Sequence, residues 1–147
     1  MEELLRQQPG VRETEVGYTG GNLKHPTYSD VKNGDTGHAE AIRVVFDPRV
    51  TSFETILRFF FTMHDPTTLN RQGNDIGSQY RSAIFYLNDE QKKTAKRVMT
   101  EVAASGKWKA PIVTEIVAAK PFYPAEDYHQ DYLAKNPGGY TCHFVRH

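Results

Sequence analysis

Two polar segments of the chain concentrate side chains that can donate, accept or hold a proton. They span residues 18–40 and 70–82, and both contain glycine, tyrosine and carboxylate residues. Each segment lies beside a predicted strand end, where loops on a rigid scaffold often carry binding and catalytic residues. These residue types favour hydrogen bonding and proton transfer as the chemistry of a site.

Four side chains in these segments have both a chemical and a structural interpretation. Glu40 begins an apolar strand, so partial burial would raise its pKa and let it donate a proton near neutral pH; a solvated carboxylate is the alternative. Asp75, within Gly-Asn-Asp-Ile-Gly, is typical of a turn residue. It could instead pair with Glu40 for glycoside hydrolysis, if the two carboxyls lie about 5 to 10 Å apart. Tyr28 and Tyr80 can donate phenolic hydrogen bonds or pack half-buried.

The single cysteine, Cys142, excludes an internal disulfide and a multi-cysteine zinc site within this sequence. It stands beside His143, a pair that could be an activated thiol, although a lone cysteine is more often inert. A metal site from Glu126, Asp127, His129 and His143 is also conceivable. Their spacing repeats no known ligand pattern, so no metal or other cofactor is predicted.

The composition is that of one ordinary globular domain. The chain has 147 residues, of which 38% are hydrophobic, enough to bury a core. Its 18 basic and 18 acidic residues cancel, which argues against a nucleic-acid binder. The sequence has no run of about 18 apolar residues, so no segment is expected to span a membrane. The acidic start lacks the features of a secretory signal, so a cytoplasmic protein is expected.

Helical and strand patterns follow one another without strict βαβ repetition. Capping boxes are expected over residues 51–54 and at Asn88 with Gln91, before two amphipathic helices. The pattern predicts an α+β fold, a two-layer domain with helices packed on a mixed β-sheet. Helices are predicted over 1–8, 53–63, 89–104 and 125–135, strands over 11–17, 39–46, 80–87 and 112–118, and irregular segments over 18–37, 67–79 and 140–147.

A series of short motifs follows a fixed order along the chain. They are Gly17-Tyr-Thr-Gly-Gly21, Pro26-Thr-Tyr28, Gly34-Asp-Thr-Gly-His-Ala-Glu-Ala41, His64-Asp-Pro66, Asn70-Arg-Gln-Gly-Asn-Asp75, Gln79-Tyr-Arg-Ser-Ala83, Pro121-Phe-Tyr123, Ala125-Glu-Asp127, His129-Gln130, Asn136-Pro137 and Gly139-Tyr140. In this order the motifs resemble the methionine sulfoxide reductase A family. The resemblance implies one domain over residues 1–147 with the family's ferredoxin-like α/β sandwich, a form of the α+β class.

The resemblance also implies a reaction, the reduction of the S epimer of methionine sulfoxide, free or within proteins. A thiolate attacks the sulfoxide sulfur, and the departing oxygen must be protonated by an acid with a raised pKa. By position in the motifs, Glu40 would be that acid. Tyr28 and Tyr80 would donate hydrogen bonds to the oxygen, and Asp75 would hold a water molecule or the substrate.

The family's nucleophile lies in a Gly-Cys-Phe-Trp-Gly motif that this sequence does not contain. Residues 1–5 align with those immediately after that motif, so the domain is expected to be incomplete at its N-terminus and to lack the preceding strand. Cys142 matches a resolving cysteine, which forms a disulfide that thioredoxin then reduces. Negligible thioredoxin-dependent activity is expected of this chain by itself.

Two functions from different classes stay open at this point. The first is an enzyme fragment of a working reductase. The second is a non-catalytic module that recognises oxidised methionine without reducing it. Loss of the first strand would also leave unpaired backbone groups and an apolar sheet edge, so lower stability or self-association is expected.

Overall fold

The computed structural model of the chain describes residues 2–32 and 36–125. Within these ranges the helices are α1 Glu2–Arg6, α2 Tyr28–Lys32, α3 Phe53–Met63 and α4 Asp89–Ala104. The strands are β1 Val11–Thr19, β2 Ala39–Phe46, β3 Arg71–Gln72, β4 Asp75–Ile76, β5 Ala83–Tyr86, β6 Glu115–Ala118 and β7 Tyr123–Pro124. A short 3-10 helix, which we call the Tyr80 turn, covers Ser78–Tyr80.

Both antiparallel and parallel strand pairs occur among the described residues. β1 is the central strand of an antiparallel sheet in the order β2-β1-β7, and β3 and β4 form a hairpin. β5 and β6 are parallel, and α4 is the crossover that a parallel connection requires. The predicted α+β class is confirmed, and in the described part of the chain the parallel and antiparallel pairs lie in separate sheets.

Side-chain hydrogen bonds determine where the two longest helices begin. Ser52 Oγ accepts a hydrogen bond from Thr55 N at 3.1 Å, so Ser52 caps α3 and the box expected over residues 51–54 was wrong by one residue. Asn88 Oδ1 accepts a hydrogen bond from Gln91 N at 2.9 Å, which confirms the predicted cap of α4.

The main hydrophobic core lies between α3, α4 and the parallel pair β5–β6. Each helix turns an apolar face towards this core, as the helical spacing of apolar residues predicted. Burial of one such large side chain contributes about 1.5–3 kcal/mol. The core therefore anchors β5, which follows the Tyr80 turn directly along the chain. Its buried members are Leu57, Phe61, Ile84, Ala95 and Val98.

Several expectations about the loops were wrong. Residues 18–37 are not one irregular segment, because β1 continues to Thr19 and α2 forms within it. Residues 67–79 contain the β3–β4 hairpin. Tyr80 ends a 3-10 helix instead of starting a strand, and β6 starts at Glu115, later than expected. The helix predicted over 125–135, apart from Ala125, and the tail 140–147 lie outside the described residues.

Strands β2 and β5 each have one paired neighbour within the described part of the chain, β1 and β6 respectively. Residues of both strands line a common cavity, and apolar side chains such as Ile42, Val44 and Ile84 face it together with one side of α3. Lower stability or self-association because of such an apolar edge stays a prediction.

Candidate functional site

Pairing of β1 with β2 places Glu40 beside a buried tyrosine. Glu40 and Tyr18 are directly opposite each other in the antiparallel register. Directly opposite residues project from the same face of a sheet, so the carboxyl group leaves β2 next to the aromatic ring. Tyr18 is only 1% exposed. Glu40 therefore has an apolar, buried neighbour on one side.

Helix α2 begins at Tyr28 because the residues around it cap each other reciprocally. Thr27 N donates to Asp30 Oδ2 at 2.9 Å, and Asp30 N donates to Thr27 Oγ1 at 3.2 Å. This is a capping box, and the hydrogen bond from Thr27 N holds the pKa of Asp30 below its usual range. The Thr27-to-Asp30 spacing is the signal in the sequence that could have predicted the helix.

Asp75 lies on the second strand of the β3–β4 hairpin, where it pairs with Gln72. It follows the tight turn and does not form it, since Gly73 takes the left-handed conformation there, with φ of +57°. Gly77 N donates to Asn70 O at 2.8 Å and closes the base of the hairpin. The hairpin therefore presents Asp75 from a hydrogen-bonded support.

The Tyr80 turn depends on a glycine at its start. Tyr80 N donates to Gly77 O at 3.0 Å. Gly77 has φ of +142°, in the region that favours glycine, and a Cβ atom there would collide with the side-chain amide of Gln79. A side chain at position 77 would thus strain the backbone at the start of the turn and push the Gln79 amide aside.

Tyr28, Glu40, Asp75 and Tyr80 all line one cavity of about 720 Å³. The four residues come from four different elements, and the Tyr80 turn packs directly against β2. Cys142, the fifth predicted site residue, lies outside the described residues. The structure thus brings two carboxyl groups and two phenols to a single hollow, where they can hydrogen bond to a polar group of a small ligand.

The surroundings of Glu40 alter its acidity. The Glu40 side chain is exposed where it borders the cavity, and protein atoms surround it on the other sides. This loss of solvation raises the pKa of Glu40 to about 7, and repulsion from Asp75 is the second cause. At neutral pH about half of the Glu40 groups hold a proton that they can donate.

Comparison with known proteins gives the family. The family model described as "Peptide methionine sulfoxide reductase" matches residues 1–147. The chain belongs to this family. Among its relatives, "Peptide methionine sulfoxide reductase MsrA" of Streptomyces avermitilis is 56% identical over 146 residues, which cover 99% of this chain and 84% of that protein. The protein of the same name from Nocardia farcinica is 54% identical, with the same two coverages.

Solved structures that resemble this chain share its fold. Reduced Mxr1 from Saccharomyces cerevisiae superimposes with a TM-score of 0.89 at 40% identity, covering 94% of this chain and 80% of that chain. Methionine sulfoxide reductase A of Corynebacterium diphtheriae gives a TM-score of 0.84 at 40% identity, covering 95% of this chain and 71% of that chain. The α+β fold is therefore that of the reductase family.

His38, two residues before Glu40, supports the site without facing the chemistry. It is 1% exposed, its Nδ1 accepts from Gly21 N at 3.1 Å, and its Nε2 lies 2.6 Å from the carbonyl oxygen of Leu23. The carbonyl oxygen only accepts, so Nε2 carries a proton. The backbone N–H only donates, so Nδ1 carries none, and the ring is neutral. The ring ties the segment after β1 to the start of β2, a role that the sequence analysis missed although His38 stands within a matching motif.

His64 joins the end of α3 to both parallel strands. Its Nδ1–H donates to Phe60 O at 2.7 Å, and its Nε2 lies 2.7 Å from Ser82 Oγ. Ser82 Oγ is in turn 2.7 Å from Thr114 Oγ1. Ser82 and Thr114 immediately precede β5 and β6, so this buried network positions both strands relative to α3. His64 belongs to the His64-Asp-Pro66 motif, and the motif alone did not predict this role.

The described ranges contain no grouped metal ligands. Across residues 2–32 and 36–125, no three His, Cys, Asp or Glu side chains are placed to hold a metal ion. The metal candidates Glu126, Asp127, His129 and His143 lie outside these ranges. In the same part of the chain, every helix is too short or too polar to cross a bilayer.

Proposed function

We propose that this cavity binds methionine sulfoxide, free or in a peptide, and supports its thiol-dependent reduction to methionine. The sulfoxide oxygen accepts hydrogen bonds from the acid form of Glu40 and from the phenols of Tyr28 and Tyr80. Asp75 holds a water molecule or the substrate. The observation that carries the proposal is the convergence of all four on one cavity in a chain of the reductase family.

The proposed chemistry uses these donors where negative charge develops. A thiolate attacks the sulfoxide sulfur, which is reduced by two electrons as the S–O bond breaks. The oxygen passes to the attacking sulfur, now a sulfenic acid, and Glu40 supplies the proton that this oxygen needs. A second thiol then displaces the oxygen as water and leaves a disulfide. Donors already aimed at the oxygen lower the barrier, since they need no reorganisation during the step.

The thiols of this proposal come from outside the described residues. Cys142 is the proposed resolving cysteine, and thioredoxin is the proposed reductant of the disulfide. Cys142 is the one cysteine among these 147 residues, so the attacking thiol must be supplied in addition to them. The 147-residue chain by itself is expected to show negligible thioredoxin-dependent turnover. A cytoplasmic location and a single domain over the whole chain also stay predictions.

Binding of a substrate analogue tests the proposal without the attacking thiol. Calorimetric titration with N-acetyl-methionine-S-sulfoxide amide is expected to give saturable binding to the chain. Tyr28→Phe and Tyr80→Phe should each weaken it by roughly 2- to 10-fold, the value of one hydrogen bond. Tyr86→Phe is the matched control, because Tyr86 lies on β5 and is not among the residues that line the cavity.

The outcomes separate clearly. Absence of binding, or equal affinity of the Tyr28 and Tyr80 variants and the parent chain, would overturn the proposal. A non-catalytic module that only recognises oxidised methionine would use the same residues. Family membership favours the reductase, and turnover after addition of a Gly-Cys-Phe-Trp-Gly segment before residue 1 would support it further.

A further inference from the structure

We propose that Gln79 and Arg81, on either side of Tyr80, are positioning residues that hold Tyr28 and Glu40 around the cavity. This inference rests on the proposed function, because it takes Tyr28, Glu40 and Tyr80 as the oxygen-binding groups. It adds the two residues that hold the three groups in register with one another.

Gln79 ties the Tyr80 turn to helix α2. Its Nε2 donates to the carbonyl oxygen of Lys32 at 3.1 Å, and the side chain is only 4% exposed. Lys32 is the last residue of α2 and Tyr28 is the first. A helix of five residues is not stable by itself, and its last carbonyl groups have no partner within the helix. The Gln79 amide satisfies one of them and thereby holds the element that carries Tyr28.

A contribution to stability alone does not explain why glutamine occupies position 79, because the oxygen of its amide is unsatisfied within the described residues. Gln79 Oε1 is buried and has no hydrogen-bond partner in the described part of the chain. A buried acceptor without a partner lowers stability, which largely offsets what the Nε2 hydrogen bond contributes. Positioning of Tyr28 relative to Tyr80 accounts for an amide at this place.

Arg81 ties the same turn to the segment that leads into β2. Its Nη1 donates to Ser78 O at 2.8 Å, within the Tyr80 turn, and its Nη2 donates to Gly37 O at 3.0 Å. Its Nε also donates to Glu115 Oε2 at 3.2 Å, and the side chain is 12% exposed. Gly37 is three residues before Glu40.

The guanidinium group is suited to this role. Its donors form a rigid plane, so three simultaneous hydrogen bonds restrict how the three acceptors can move relative to each other. Gln79 and Arg81 therefore connect Tyr80 to the two segments that carry the other donors. Tyr80 lies between them, and all three residues line the cavity.

Nuclear magnetic resonance of the ligand-free chain can test both ties separately. Arg81→Met should release the segment that carries Glu40 towards solvent, so its side-chain carboxyl should titrate at least about 0.5 pH units lower. Gln79→Met should change the ring signals of Tyr28 and leave the Glu40 titration in place. Loss of a positive charge alone would raise the pKa of Glu40, so a fall distinguishes positioning from a direct charge effect.

Two control variants remove similar groups elsewhere. Arg97→Met removes a guanidinium that pairs with Glu54 and Glu101 on the helix surface, and Gln7→Met removes an exposed amide that donates to Glu3 Oε1. Neither control should move the Glu40 titration or the Tyr28 signals. Folded and unfolded molecules give separate resonances, so loss of stability does not mimic the effect.

Arg81→Lys provides a second variant, with retained charge and fewer donors, if Arg81→Met does not fold. The inference is overturned if both Arg81 variants titrate Glu40 at the parent value, or if Gln79→Met leaves the Tyr28 signals unchanged. Failure of the proposed function is a different result, namely absence of sulfoxide binding to the parent chain. The positioning roles of Gln79 and Arg81 and the proposed function can therefore be refuted independently of each other.

Discussion

Sulfoxide binding should depend on pH through Glu40, because only its acid form donates a hydrogen bond to the sulfoxide oxygen. Burial and repulsion from Asp75 raise the pKa of Glu40 to about 7. The acid form, and with it the affinity, should therefore be nearly constant in weakly acidic solution and fall above neutrality. The sign follows from a raised pKa, since a carboxyl group loses its proton as the pH passes upward through that value.

The raised pKa changes the expected size of the effect. With a pKa of about 7, the protonated fraction falls only about twofold between about pH 5 and about pH 7. With the ordinary pKa of 4.5, the same interval would produce a fall of about 75-fold. Above about pH 8 the acid fraction falls about tenfold for each further pH unit. The affinity should fall with it until binding through Tyr28 and Tyr80 alone sets a lower limit.

Calorimetric titration with N-acetyl-methionine-S-sulfoxide amide over this pH range measures the effect directly. Glu40→Gln is the matched control, because an amide can donate a hydrogen bond at every pH. Its affinity should be independent of pH from about 5 to about 9. A parent chain whose affinity does not change over that range, or changes with a midpoint near the ordinary carboxyl value, would refute the reasoning.

Three further predictions concern the electrostatics and the packing. Asp75→Asn should lower the pKa of Glu40 but leave it above the ordinary value, because burial is the larger cause; carboxyl resonances during a pH titration measure this. Phe61→Ala should lower the free energy of unfolding by about 3–5 kcal/mol in urea denaturation, because the ring is 1% exposed in the main core. Gly21→Ala should lower the free energy of unfolding by about 1–3 kcal/mol, because the added Cβ would meet the backbone of the segment before β2. The same substitution should also shift the Glu40 resonances. Gly106→Ala is the control. It should lower the free energy of unfolding by about 1–2 kcal/mol, because of the left-handed backbone alone, and leave the Glu40 resonances unchanged.

The longer elements could be predicted from sequence because their signals are local. The predicted bounds of α4 and β2 agree with the structure, and those of α3 agree as well. In each, the apolar period and a flanking cap or turn lie within a few residues of each other. Element type there needs no knowledge of the rest of the chain.

The short elements could not be predicted in the same way. β3, β4 and β7 have two residues each, too few for any period to appear. β7 exists because Tyr123 pairs with Tyr18 on β1, a partner that lies far away in the sequence. Helix α2 is the exception, since the Thr27-to-Asp30 capping box was available and was overlooked.

By itself the sequence determined the family and the identity of the candidate residues, because motif order and residue type are properties of the chain alone. Only the tertiary structure decided the acidity of Glu40, which depends on atoms packed around it and on Asp75 from a separate hairpin. It also revealed the ties from Gln79 and Arg81, which reach across 47 and 44 residues to backbone carbonyl groups. Every residue other than proline carries the same backbone groups, so no sequence pattern marks which carbonyl a side chain will meet.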